Sequence, residues 1–112
     1  MSANRRIWAD TGTMAIVGVF EGGYDDAHRE RIRAHEKHKA KPGGSMEMKS
    51  ADDPDWFPVL AEEIGEVARE INDYRHGLIS DDDRMPRLRA ELVQVAAMAH
   101  AWIAAIDEGA RP

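Results

Sequence analysis

Four acidic side chains carry the chemistry this sequence offers: Glu62, Glu63 and Glu66 in AEEIGEVAREIND (61–73), and Glu91 in RAELVQVAAMAHAWIAAID (89–107). Both stretches otherwise read as apolar helices that pack together. Carboxylates beside a packing face are costly unless they are paired, hydrogen-bonded or bound to a metal. Advancing about 100° per residue sets Glu63 roughly 70° and Glu66 roughly 130° from the centre of the first apolar stripe, on one flank. Glu91 and Gln94 fall at roughly the same two angles on the second helix. If the helices run antiparallel, the two i, i+3 pairs converge on one oxygen-rich cluster. Three carboxylates and an amide oxygen suit a hard cation, Mg²⁺ or Mn²⁺, better than zinc. The plainer reading is that these glutamates are solvated helix residues, since Glu is a good helix former. Glu62 points toward solvent, roughly 170° from the stripe.

The elements that hold these residues can be read from the pattern. In 61–73 and its flanks, Phe57, Leu60, Ile64, Val67, Ile71 and Tyr74 alternate spacings of three and four, the mark of a packed helix. Pro54 and Pro58 fit its start near Asp53–Asp55, and Gly77 fits its end. Arg75 and His76 suit the last turn through the helix dipole. Ser80 can cap the next helix, with Pro86 marking either a break or the true start. Its stripe is Leu88, Leu92, Val95, Ala99, Trp102, Ile103 and Ile106, with alanines keeping it slim, and Gly109 stops it. Upstream, Asp25 or Asp26 can cap a thinly apolar helix reaching about Lys39. Residues 40–53 form a loop around Pro42-Gly43-Gly44, long enough to be functional or mobile. Residues 1–23 read as an arm of unknown role and 24–112 as the helical domain. Within the arm, MAIVGVF (14–20) is open to a strand, an arm or a first helical turn.

The chain has 112 residues, 43% of them hydrophobic, a formal net charge of −6 and no cysteine. That size points to one domain with a modest core. The acidic balance weighs against nucleic-acid binding. Without cysteine there is no disulfide and no thiolate zinc site, and a reducing cytoplasm is compatible. No apolar run of ~18 residues predicts a membrane span, and the short MAIVGVF run lacks a convincing cleavage site. The expectation is a soluble, cytoplasmic, all-α protein. Against its acidic balance, AHRERIRAHEKHKAK (27–41) is basic. Arg33, Lys37 and Lys41 are candidates for binding phosphate, although such a run is more often a solvated helix face. His35 and His38 share a helix face by spacing and could meet metal or phosphate. Trp56, on the Glu63 flank, could stack on a base or sit in a core or dimer interface; Trp102 reads as core.

Glu62-Glu63-Ile64-Gly65-Glu66 on one helix and Glu91-Leu92-Val93-Gln94 on the next resemble the EExxE and ExxD motifs of the MazG-like all-α nucleoside triphosphate pyrophosphohydrolases, which are related to dimeric dUTPases. The flanking text, with RAHEKH (33–38), GGSME (43–47) and DWFPVLAEE (55–63), is similar to small MazG-like proteins of actinobacteria and their phages. The likeness covers roughly 28–107. It implies Mg²⁺-dependent hydrolysis of the α–β phosphoanhydride of a nucleoside triphosphate to monophosphate and pyrophosphate. It assigns Glu63, Glu66 and Glu91 as metal ligands, sets Gln94 where the family has Asp, and gives Glu62 a water- or ligand-orienting role. It also implies a four-helix bundle completed by a second subunit, as homodimer or homotetramer. Gln94 costs the site one negative charge. The competing expectation is therefore a catalytically silent helical dimer that binds nucleotide or a protein partner. A plain structural four-helix assembly is the third.

Overall fold

The computed structural model describes residues 12–109, with side-chain environments from residue 21 onward. Three helices carry the fold: α1 (Gly12–His38), α2 (Trp56–Arg75) and α3 (Asp81–Glu108), with a 3₁₀ turn at Met46–Met48 between the first two. Among the described residues there is no strand, so the protein is all-α. No described helix is long and apolar enough to cross a membrane.

The ends of α2 and α3 follow local chemistry. Gly77 adopts φ +76°, a left-handed conformation that glycine takes without a Cβ penalty. That turn lets Leu78 N–H reach the Asp73 carbonyl at 2.8 Å and Gly77 N–H reach Tyr74 at 3.0 Å, closing α2. Ser80 then caps α3, its hydroxyl accepting from Asp83 N–H at 3.2 Å, and Asp81, Asp82 and Asp83 face the positive end of the helix dipole. Pro86 lies inside α3 rather than at its start. It forfeits one backbone hydrogen bond in the second turn, and the helix continues past it.

The N-terminal helix differs from the sequence expectation. It begins at Gly12 and runs through Gly22-Gly23, so a boundary at 23/24 falls in mid-helix. The MAIVGVF segment is helical backbone. Residues 1–11, the rest of the expected arm, lie outside the described residues, as do 110–112.

Helix α3 is the centre. It packs most extensively against α2 and also against α1, while α1 and α2 hardly touch. The side that receives both helices is built from Ala97, Met98, Ala101 and Ala105, all buried. Small side chains let the helices approach closely. Trp56 is fully buried on this cluster and stacks on Trp102, with ring centroids 5.9 Å apart and planes 4° from parallel. The loop between α1 and α2 is fastened to this core. Trp56 Nε1–H donates to the Ser50 carbonyl at 2.7 Å and Trp102 Nε1–H to that of Ala51 at 3.0 Å.

Much of the apolar stripe predicted for α2 is not buried. Phe57, Ile64 and Ile71 recur at heptad spacing and are 69%, 53% and 45% exposed. On α3, Leu92, Ile103 and Ile106 are exposed in the same way. Advancing about 100° per residue puts each set on the flank of its helix turned away from α1. Among the described residues, one face of the α2–α3 hairpin therefore carries large apolar side chains that are about half or more exposed, with Tyr24 of α1 reaching only the Leu92 end. The chain is correspondingly open: its radius of gyration is 16.7 Å, against about 13 Å for a compact domain of ~100 residues.

Candidate functional site

Because α1 and α2 both lean on α3 and hardly touch each other, a cleft of about 380 Å³ opens between them. This is within the range of small-ligand sites. Its walls differ in charge. Helix α2 contributes Glu62 and Glu63, and α1 contributes Arg33, Lys37 and His38 with Glu30 among them. Gln94 and Met98 of α3 form the floor, and Gly44, Ser45 and Met46 of the loop close one end.

The loop end is set by a second layer of polar contacts. Arg31, buried on α1, donates from Nε and Nη2 to the two carboxylate oxygens of Glu47, each at 2.7 Å. His35 Nδ1 and Ser45 Oγ share a 2.6 Å hydrogen bond. Gly44, at φ +69°, lies so close to the Met48 thioether that an added Cβ would meet Sδ at 2.9 Å. A loop whose length left it open to being functional or mobile is thereby pinned from both sides.

The acidic residues share one neighbourhood. Partial burial, followed by the charges of Glu91, Glu62, Glu66 and Glu30, pushes the Glu63 carboxyl above its usual range. Partial burial and then Glu66 and Glu70 do the same to Glu91. Mutual repulsion of this kind is what a cation relieves. All the donors are hard oxygens, which fits Mg²⁺ or Mn²⁺ in kind. They do not close on a single point: among the described residues no three acidic or histidine side chains converge closely enough to enclose a metal ion. Glu62, Glu63 and Gln94 line the cleft. Glu66 stands just outside its lining, paired to Arg69 at 3.4 Å, and Glu91 is likewise outside it and half-buried.

On the opposite wall the cationic field is visible in one imidazole. Desolvation, then the charges of Lys41, Lys37, Arg31 and Arg33, hold His38 below the ordinary histidine value. Lys41 acts on His38 in this way from an exposed position outside the cleft lining. Arg33 is tied to Glu30 by hydrogen bonds of 2.9 and 2.6 Å.

Of the two roles open to Trp56, core and base-stacking, the structure shows the core, and the pairing of His35 with His38 is corrected. Trp56 is wholly enclosed in the core and has no ring face to offer a base. His35 and His38 do not share a site. His35 is bonded to Ser45 and lines a separate cavity of about 370 Å³ on the other side of α1, whereas His38 lines the cleft. Glu30 went unnoticed in the sequence. The available signal was the spacing of Glu30, Arg33 and Lys37, which puts all three on one face of α1.

Comparison of the chain with protein-family models, with curated proteins and with solved structures finds no match.

Proposed function

We propose that the cleft is the active site of a Mg²⁺-dependent nucleoside triphosphate pyrophosphohydrolase of MazG-like type, converting a (deoxy)nucleoside triphosphate, canonical or modified, to its monophosphate and pyrophosphate. The observation that carries this reading is the opposition of charge across one cleft of about 380 Å³, with acids on α2 and cations on α1. A magnesium polyphosphate carries the same two kinds of group side by side. In this reading Glu63, Glu66 and Glu91, with the Gln94 amide oxygen, hold the cation after modest side-chain movement. The bound cation supplies charge neutralisation and polarisation of the phosphorus under attack. Glu62, at the rim, orients the attacking water or accepts its proton. Arg33 and Lys37 stabilise charge on the departing pyrophosphate.

The protein acts as a homodimer or a dimer of dimers in this account. Phe57, Ile64, Ile71, Leu92, Ile103 and Ile106 are exposed large apolar residues on one face, the kind of surface that marks a protein–protein contact. A second hairpin laid on it completes a four-helix bundle by an isologous interface.

A second reading rests on Gln94. With an amide where the resemblance has an acid, the same cleft would bind nucleotide without cleaving it. Release of monophosphate and pyrophosphate from a panel of nucleoside triphosphates, with Mg²⁺, Mn²⁺ or EDTA, separates the two. Turnover abolished by EDTA supports the enzyme. Tight nucleotide binding without turnover supports the silent dimer, and a large gain of activity in Gln94→Asp would show that the amide is the cause.

A further inference from the structure

Helices α1 and α3 enclose a second hollow, of about 330 Å³, beside the cleft. Asp26, Arg29, Glu30 and Arg33 line it from α1, at spacings of three, four and seven that keep them on one side of the helix. Arg89 lines it from α3. Three guanidiniums thus meet two carboxylates, a surplus of one positive charge on a chain whose formal net charge is −6. Asp26 is shared between two helices. Its Oδ1 lies 3.4 Å from Arg29 Nη2 and its Oδ2 lies 2.7 Å from Arg89 Nη2. Neither contact is the two-bond fork that Arg33 makes with Glu30. The side chains of Arg29 and Arg89 are 68% and 59% exposed, so an entering anion can reach them. The hollow adjoins the cleft, since Glu30, Arg33 and Gln94 line both.

We infer that this hollow is a phosphate subsite, in which Arg29 and Arg89 bind the end of a phosphate chain whose other end lies in the cleft. The subsite itself is argued from the ion pairs above; its ligand, a nucleoside triphosphate, rests on the reading of the cleft already given. A phosphate offers a guanidinium the same forked pair of oxygens as a carboxylate. Solvent-exposed ion pairs contribute little, so Asp26 gives up its two arginines at small cost. One carboxylate already gathers both guanidiniums, and a single tetrahedral anion in its place touches both. Asp26 therefore keeps the arginines together in the empty subsite and competes with whatever enters it. A chain of phosphates engages cleft and hollow at once, whereas a lone phosphate engages one at a time. The subsite thereby favours a triphosphate over the monophosphate left after its cleavage.

The test titrates the full chain with inorganic tripolyphosphate and with orthophosphate, in EDTA at fixed low ionic strength, by calorimetry. Wild type is compared with Arg89→Gln, Asp26→Asn and Arg75→Gln, the last removing one charge from the end of α2, outside both hollows. Melting curves show that each is folded. Arg89→Gln should weaken tripolyphosphate by about 10-fold, the worth of one charged hydrogen-bonding partner, and Arg75→Gln by much less. Asp26→Asn should tighten it, a gain that loss of folding does not produce. Orthophosphate should bind wild type at least about 10-fold more weakly than tripolyphosphate, because it lacks the linked second contact. Equal affinity for the two anions would overturn the spanning chain and leave a site for free phosphate. A wild type that binds no tripolyphosphate, an Arg89→Gln no weaker than Arg75→Gln, or an Asp26→Asn without gain would overturn the inference; pyrophosphate release from a nucleoside triphosphate by that same protein would leave the hydrolase reading standing. The expected binding pattern in a protein that releases no pyrophosphate would keep the subsite and overturn the hydrolase reading instead.

Discussion

The two faces of the α2–α3 hairpin are built on opposite principles. Toward α1, the hairpin presents Glu62 and Glu63 beside a floor of Gln94 and Met98, and the charges that meet there are partly paired and partly in conflict. Away from α1, it presents Phe57, Ile64, Ile71, Leu92, Ile103 and Ile106, all exposed among the described residues. The first face is a place where charge is concentrated at a cost, as functional sites are. The second exposes apolar area whose burial stabilises only an assembly. One amphipathic hairpin thus separates a candidate site from a candidate interface across the thickness of a single helix pair.

The largest effect is expected at the core that joins the two faces. Trp56→Ala should cost about 3–5 kcal/mol, measured by urea unfolding, because it removes the fully buried indole, its stack on Trp102 and the anchor to Ser50. Glu47→Ala leaves the buried Arg31 guanidinium without its bidentate partner, and a loss of about 3 kcal/mol is expected, together with weaker nucleotide binding as the loop end of the cleft loosens.

On the apolar face, Ile64→Asp combined with Leu92→Asp should weaken self-association by about 100-fold or more, since each buries an unpaired charge. Sedimentation velocity would read this as a shift to monomer at unchanged helical content. A wild type that sediments as a monomer at every concentration would remove the interface from the account.

The cleft face responds to pH with a definite sign. Glu63 and Glu91 titrate above their unfolded value, so the folded state holds more protons across and just above the ordinary glutamate range. Stability of the metal-free protein should therefore fall as pH rises through that window and stay lower above it. Glu63→Gln should raise the neutral-pH melting temperature of the metal-free protein by a small amount and flatten this dependence. Smallest of all, His38 should titrate below a free histidine and move upward when tripolyphosphate enters the cleft, as NMR of its ring protons would show.

The sequence was most legible where backbone chemistry is local. Gly77, Ser80 and Gly109 set helix limits that the pattern alone could mark, because each acts through its own conformation or capping group. It was least legible where tertiary context decides. The periodic stripe Phe57–Ile64–Ile71 identifies an apolar face correctly, yet the single chain packs a neighbouring face, centred on Trp56 of α2 and Met98 of α3. Periodicity reports which face avoids water, and not which partner covers it. Gly22-Gly23 reads as a break by propensity, while α1 runs straight through it. The acids at 62, 63, 66 and 91 were visible by type and spacing. Glu30 was not, because only the packing of α1 on α3 brings it into the cleft with Gln94.

The most direct test of the central claim is the rate of pyrophosphate release from nucleoside triphosphates with Mg²⁺, compared between wild type and Glu63→Gln. The account predicts monophosphate and pyrophosphate from at least one substrate, no product with EDTA, and a fall of about 100-fold or more in the variant, equivalent to ~2.7 kcal/mol of barrier. A folded wild type that releases no pyrophosphate across canonical, deoxy and modified triphosphates, or a Glu63→Gln protein as active as the wild type, would contradict it.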